Sequence, residues 1–428
     1  MTNFVSSIPT DLFAPVFKFI MILLPIVLPF MLIVAYLSLR LHYLQLRFLN
    51  KTKKAVLEIR LPKELNKSPA SMEIFFSFLA KNGPGSYGDA ILEGKVKPWF
   101  SCEYVSDGGE IHIYIWTWEK NKNLVESQLY AQYPNLEILE VPDYTSKYEY
   151  DLNNFSYSGK QLKLGKADAY PIKTYIDYGL DADQKDEYKI DPLNSLFESL
   201  STLKKGEHAW IQILFQRHQK EKRFLNGRWL GQEDWSKSIK KVLKELKLAT
   251  IPDYLPVKDK DDKFSKLPSP TKVQSETIAA VERSANKLPF DSAIRIVYFA
   301  EKECYNDGNA GNVANCLKSF DSPNLNRFGT AKETGLGDTE KDFVRLFPEL
   351  FKKPFERDDA EFRMDIFNAY KLRSYFQIPY RNIAGGPFVL NAEELATLFH
   401  FPSQMVSQTP TLTRVPSKKY EAPSNLPI

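Results

Sequence analysis

Cys102 and His112 lie on what read as neighbouring strands, and a thiolate beside an imidazole is the arrangement that makes a cysteine nucleophile. Their apolar surroundings fit strand packing better. Cys304 and Cys316 have no Cys or His at ligand spacing, so they read as structural thiols rather than half of a zinc site. The five histidines do not cluster, and no G-x-S-x-G elbow occurs. The glycine stretches Gly83–Gly88 and Gly335–Gly337 lack the Lys-Ser/Thr that holds phosphate and magnesium in a phosphate loop. Asp259, Asp261 and Asp262 open like a calcium loop but miss the glycine at its sixth position. These patterns point to a chain without catalytic residues, cofactor or bound metal.

One patch could meet phosphates. Between Arg217 and Lys247 basic residues outnumber acidic ones, and Trp229 and Trp235 interleave with them. Cations with aromatics can follow a nucleic-acid strand. The candidate contacts are Arg217, Lys222, Arg223, Arg228, Trp229 and Lys237. Interspersed Glu and Asp make a solvated helix face the simpler reading.

The elements that would position these residues follow from length and patterning. A chain of 428 residues suggests two or three domains. With 57 Lys+Arg against 53 Asp+Glu it is neither a strongly basic nucleic-acid binder nor an acidic tail protein. Three cysteines exclude a disulfide scaffold. From Phe19 to Leu39 no charge interrupts an apolar run, and about 20 such residues span a hydrocarbon core. Arg40, Arg47, Lys51, Lys53 and Lys54 follow it, and positive flanks stay inside. The expectation is a single-pass transmembrane helix touching membrane lipid in a bacterial inner membrane, with its N-terminus outside and the rest in the cytoplasm.

Beyond the run the fold class reads as α+β. Alternation at Leu57–Leu61, a helix with Met72, Phe75, Phe76 and Leu79 on one face, strands at 99–105 and 111–116 around Asp107-Gly108-Gly109, a helix over 119–132 and a strand at 136–141 give β-α-β-β-α-β. That order is the ferredoxin-like arrangement. Residues 146–330 read as a second, related α+β domain. The expected organisation is therefore 1–54 (tail, anchor and basic segment), 55–145 (ferredoxin-like), 146–330 (second domain, with a charged insertion and linker at about 217–270), 331–400 (helical) and 401–428 (an extended, proline-rich tail).

Several strings carry a resemblance: Leu57–Pro62 (LEIRLP), Val125–Tyr133 (VESQLYAQY), Ile294–Tyr298 (IRIVY), Ala369–Phe376 (AYKLRSYF), Phe388–Pro402 (FVLNAEELATLFHFP) and Arg414–Pro427 (RVPSKKYEAPSNLP). Together they resemble the membrane-anchored N-terminal region of the bacterial type IV secretion, conjugation-type DNA-translocating ATPases (HerA/FtsK-like). In that family the last string leads into the ATPase domain; here Ile428 follows and no Walker residue is present. The resemblance implies the non-catalytic region standing alone, a scaffold that docks a separate P-loop ATPase subunit or other secretion-machine proteins, and a capacity to self-associate. A nucleic-acid binder using residues 217–247 is the alternative.

Overall fold

The computed structural model describes residues 10–62, 65, 67–80, 87–181, 191–218, 235–249, 270–331, 359–381, 383 and 385–402. The glycine stretch at 335–337, the aspartates at 259–262, most of the linker and the chain after Pro402 fall outside them. Two compact units form: Met1–Lys51 with Pro84–Val96, and Thr52–Gly83 with Lys97–Ile428.

The first unit holds helices α1 (Thr10–Lys51) and α3 (Tyr87–Leu92). Gly94, at φ +69°, lets the chain lie directly on α1, because a Cβ there would sit 2.4 Å from the Leu44 carbonyl carbon. The expected anchor is corrected here. Among the described residues no helix is long and apolar enough to cross a membrane. The finding overturns the single-pass helix from Phe19 to Leu39, the orientation drawn from its basic flank, and the inner-membrane location. Two of the supposed flank residues belong to the second unit instead: Lys54 opens a strand, and Lys53 pairs with Glu119 at 3.8 Å.

The second unit is α+β, with nine strands in one sheet whose pairings are all antiparallel. Its first set is β1 (Lys54–Arg60), α2 (Ala70–Leu79), β2 (Phe100–Asp107), β3 (Glu110–Trp118), α4 (Glu119–Gln132) and β4 (Glu137–Val141), in spatial order β4-β1-β3-β2. Helix α2 buries Met72, Phe75, Phe76 and Leu79, the apolar stripe of its sequence. Each such side chain contributes about 1.5–3 kcal/mol by leaving water. The Gly108-Gly109 turn needs its glycines, at φ +60° and +95°. A Cβ on Gly109 would lie 2.6 Å from the Leu203 carbonyl oxygen.

The second set repeats this order: β5 (Phe155–Leu164), α5 (Leu193–Ser201), β6 (Glu207–Arg217), β7 (Pro289–Glu301), α8 (Asp307–Ala314) and β8 (Phe328–Thr330). Read from its own free edge it runs β8-β5-β7-β6, the same arrangement as β4-β1-β3-β2. The sets join through their second strands, because β2 pairs with β6 from Phe100↔Phe215 to Asp107↔His208. All four crossover helices contribute to one core on one face of the sheet. Where the first set turns on two glycines, the second carries an insertion with α6 (Trp235–Leu248) and α7 (Lys272–Ala285).

Two late segments complete the unit. Helix α9 (Asp359–Lys371) covers β5 and β7 on the face opposite the crossover helices. Strand β9 (Phe388–Asn391) pairs with the start of β7, and α10 (Ala392–Leu398) follows it into the main core. The Asn391-x-x-Glu394 start closes as a capping box: the Asn391 N–H donates to Glu394 Oε2 and the Glu394 N–H to Asn391 Oδ1, both at 2.9 Å. Glu394 Oε1 also accepts the Ile172 N–H at 2.9 Å.

Burial pushes the Glu394 carboxyl up to about 8, past the opposing pull of those backbone N–H groups. The unfolded chain releases that proton near pH 4.5, whereas the folded chain keeps it to about 8. The contribution is therefore full below pH 4.5 and is lost as pH rises towards 8, with a slope of at most about 1.4 kcal/mol per pH unit. Urea unfolding of the parent and the Glu394→Gln variant between pH 5 and 8 checks this. The variant, neutral throughout, should lose about one proton's worth of slope; identical slopes would refute the assignment.

Candidate functional site

Strands β2, β6 and β7 are buried on both faces, so a polar residue within them has no water to meet. Each nevertheless carries one near its middle: Glu103, Gln212 and Arg295, all fully buried. The strand registers bring them side by side. Glu103 faces Gln212, Gln212 faces Arg295, and Arg295 faces Gln161 on β5. Gln212 Nε2 donates to Glu103 Oε1 at 3.0 Å, Arg295 Nη1 to Gln212 Oε1 at 3.1 Å, and Arg295 Nε to Gln161 Oε1 at 3.2 Å. The result is one hydrogen-bonded row across four strands and across the junction of the two sets.

The chain just after α9 caps that row. Arg373 is fully buried, and its Nε and Nη2 donate to the two oxygens of Glu103, each at 3.0 Å. Its Nη1 bonds Asp143 and donates to the Thr145 hydroxyl at 3.3 Å. Ser101 and Tyr144 hydroxyls also donate to Glu103, at 2.6 and 2.7 Å. Arg295 Nη2 donates to the Ser374 carbonyl at 3.0 Å, and Gln212 Nε2 reaches the Tyr370 carbonyl at 3.2 Å. One guanidinium group, that of Arg373, thus meets two carboxylates, Glu103 and Asp143, while that of Arg295 is held by amide and carbonyl oxygens.

Electrostatics follow from this geometry. Burial alone would raise the Asp143 carboxyl, but Arg373 and Thr145 hold it below the usual carboxylate range. Burial pushes the Arg295 guanidinium down to about 10, while Tyr375 and Tyr370 act in the opposite direction. For Arg373 the burial penalty is outweighed by Glu103, Tyr144 and Asp143, and its pKa lies above the ordinary value.

Local structure aims these groups. Arg373 has φ +49°, the left-handed conformation that ends a helix and usually calls for glycine. Its N–H donates to the Tyr370 carbonyl at 2.9 Å, and the Ser374 N–H to the Ala369 carbonyl at 3.0 Å. Gly159 on β5 allows α9 to come close, since a Cβ there would lie 3.0 Å from Ile366 Cγ2. Trp210 and Phe367 then stack at 5.5 Å between ring centroids. Beside the row a groove of about 310 Å³ opens between Lys54, Trp116, Glu140, Asp143 and Lys371. Partial desolvation, followed by Arg373, lowers the Lys54 ammonium pKa despite the pull of Asp143.

A buried, fully paired cluster of this kind holds segments together; it presents no free acid, base or nucleophile to a substrate. The residues singled out from the sequence lie elsewhere. Cys102 faces the helix-side core, with burial pushing its thiol up. His112 pairs across β2 with Val105 and bonds Glu58 at 2.9 Å on the opposite face, so no Cys-His pair forms. Arg217 ends β6, and Lys237 is exposed on α6. Lys222, Arg223, Arg228 and Trp229 lie outside the described residues. Trp235 is buried between α6 and neighbouring residues and is not available to stack on a base. Among the described residues no group of three or more His, Cys, Asp or Glu could hold a metal ion.

The fold thus defines an α+β protein made of two fused β-α-β-β-α-β sets with a polar junction. The chain belongs to the family described as Domain of unknown function (DUF8128), whose model matches residues 45–413. No curated protein matches it.

Removing one partner of a buried ion pair strands the other and costs about 3–5 kcal/mol. Arg373→Ala should destabilise the chain by that amount in urea unfolding. Arg373→Gly should be about 1 kcal/mol less harmful, because glycine relieves the left-handed backbone while losing the same side chain. Equal stability of Arg373→Ala and the parent would show that the row does not clamp α9.

Proposed function

We propose that this protein is a non-catalytic scaffold that docks a separate motor ATPase in a machine of the type IV secretion or conjugation kind. The observation that carries the reading is where its chemistry-capable side chains are used. Arg373–Glu103 ties the end of α9 to β2. Arg283 on α7 meets Glu393 on α10 at 3.1 Å, and Lys287 meets Glu73 on α2 at 2.6 Å. His400 meets Asp191 at 3.3 Å, and Tyr104 donates to the His400 carbonyl at 3.1 Å. Each joins chain segments far apart in sequence, which suits a body that transmits position rather than one that turns over a substrate.

The resemblance supplies the kind of machine. Its strings AYKLRSYF and FVLNAEELATLFHFP contain Arg373, Glu393 and His400, one partner in each of three of these ties. The resemblance also implies an ATPase as the partner that follows such a segment.

Affinity purification of the full chain from its own cells, followed by gel filtration and mass spectrometry, tests the reading. A P-loop ATPase should co-elute stoichiometrically, and the purified partner should bind the parent more tightly than Arg373→Ala. A chain that elutes without an ATPase, or hydrolyses nucleotide by itself, would sink the proposal.

A further inference from the structure

The two β-α-β-β-α-β sets differ most at one place. Between its second and third strands the first set spends only a glycine turn, whereas the second inserts α6 and α7 between β6 and β7. The sheet closes without such an element in the first set, so the insertion is an addition to the fold. Helix α6 is sharply two-sided. Trp235, Ile239 and Val242 are buried against α7 and its surroundings in a small core of their own.

The other side of α6 carries Lys237, Lys240, Lys241 and Lys244, all exposed. Their spacing of i, i+3, i+4 and i+7 places them in one stripe. Among the described residues none of the four is in an ion pair, while Lys247 is engaged by Glu282 at 2.8 Å. At 1.5 Å rise per residue the stripe is about 10 Å long. Flexible four-carbon stems let such ammonium groups reach successive phosphates along a backbone.

We infer that the lysine stripe of α6 is a docking surface for the phosphodiester backbone of DNA, independent of base sequence. Charge complementarity carries the assignment. A lipid surface fits less well, because a helix lying in a membrane interface must insert its apolar face. The apolar residues of α6 are already buried against the protein. Base stacking is not part of the site, since Trp235 is buried, so binding is electrostatic and strongly dependent on salt.

Fluorescence anisotropy of the full chain with a labelled DNA duplex, titrated from 50 to 300 mM salt, tests this. Four phosphate contacts would give a log–log salt slope near about −3.6. The variant Lys237→Gln/Lys240→Gln/Lys241→Gln/Lys244→Gln should bind at least about tenfold more weakly at low salt and lose most of that slope. A matched variant neutralising the exposed Lys204, Lys205, Lys302 and Lys318 controls for net charge and should bind like the parent. Circular dichroism establishes that each variant is folded. Three results would overturn the inference: no binding at 50 mM salt, equal loss in both quadruple variants, or binding to anionic vesicles or a polyglutamate chain but not to the duplex.

Discussion

A carboxylate buried at the junction of two strand sets in one sheet has to be neutralised where it stands, and the second unit is arranged around meeting that need at Glu103. Five donors converge on its two oxygens, from Ser101, Tyr144, Gln212 and both forks of Arg373. Those donors come from β2 itself, from the turn after β4, from β6 and from the chain after α9. One charge therefore couples both sets of the sheet to a helix contributed more than 200 residues later. An ion pair in such a place adds little net stability compared with a well-packed apolar cluster, but breaking it on one side is severe. The arrangement favours a single assembled state over partly assembled ones.

Arg373 adds a local conflict that makes the same point. A helix C-terminus in the left-handed conformation is better served by glycine, and an arginine there carries backbone strain of about 1 kcal/mol or more. Local preference and tertiary demand disagree at this residue, and tertiary demand prevails because only a long, forked cation can reach both Glu103 and Asp143 from that turn. The raised backbone energy is offset by five side-chain hydrogen bonds, including one back to the Lys371 carbonyl.

Much of the sheet was legible in the sequence because its first set uses regular signals. Alternation marked β1 and β3, the Asp-Gly-Gly turn marked the hairpin between β2 and β3, and the helical spacing of Met72, Phe75, Phe76 and Leu79 marked α2. The second set was harder because β6 and β7 are apolar on both faces, which removes the alternation, and because the insertion separates them. The polar row escaped notice for a related reason. Gln212 in WIQILF and Arg295 in AIRIVY look like isolated interruptions, yet a lone polar residue inside a two-sided apolar strand implies a buried partner on a neighbour. That partner could not be named without the registers. Arg373 gave no sequence signal at all, since its role depends on a left-handed turn that non-glycine residues rarely adopt. The apolar run at Phe19–Leu39 misled in the opposite direction: composition over a window suggested a span that the described part of α1 does not provide.

The row also explains how the two sets find one another. A hydrophobic pattern fixes strand register only where one face is wet, because a one-residue slip then exposes the core. At the β2–β6 junction both faces are dry, so apolar patterning discriminates poorly between registers. A slip by one residue would turn Glu103 towards the helix-side core among Tyr104, Ile211 and Ile213. A slip by two would set it opposite Trp210 or Leu214 in place of Gln212. Either error separates the Glu103 carboxylate from Gln212, its donor on the neighbouring strand, and leaves a buried charge short of a partner, at a penalty of several kcal/mol. Charge and hydrogen-bond geometry therefore select the register at a place where the apolar residues cannot, and the junction of the two sets is set by Glu103 and Gln212 rather than by the larger hydrophobic surface around them.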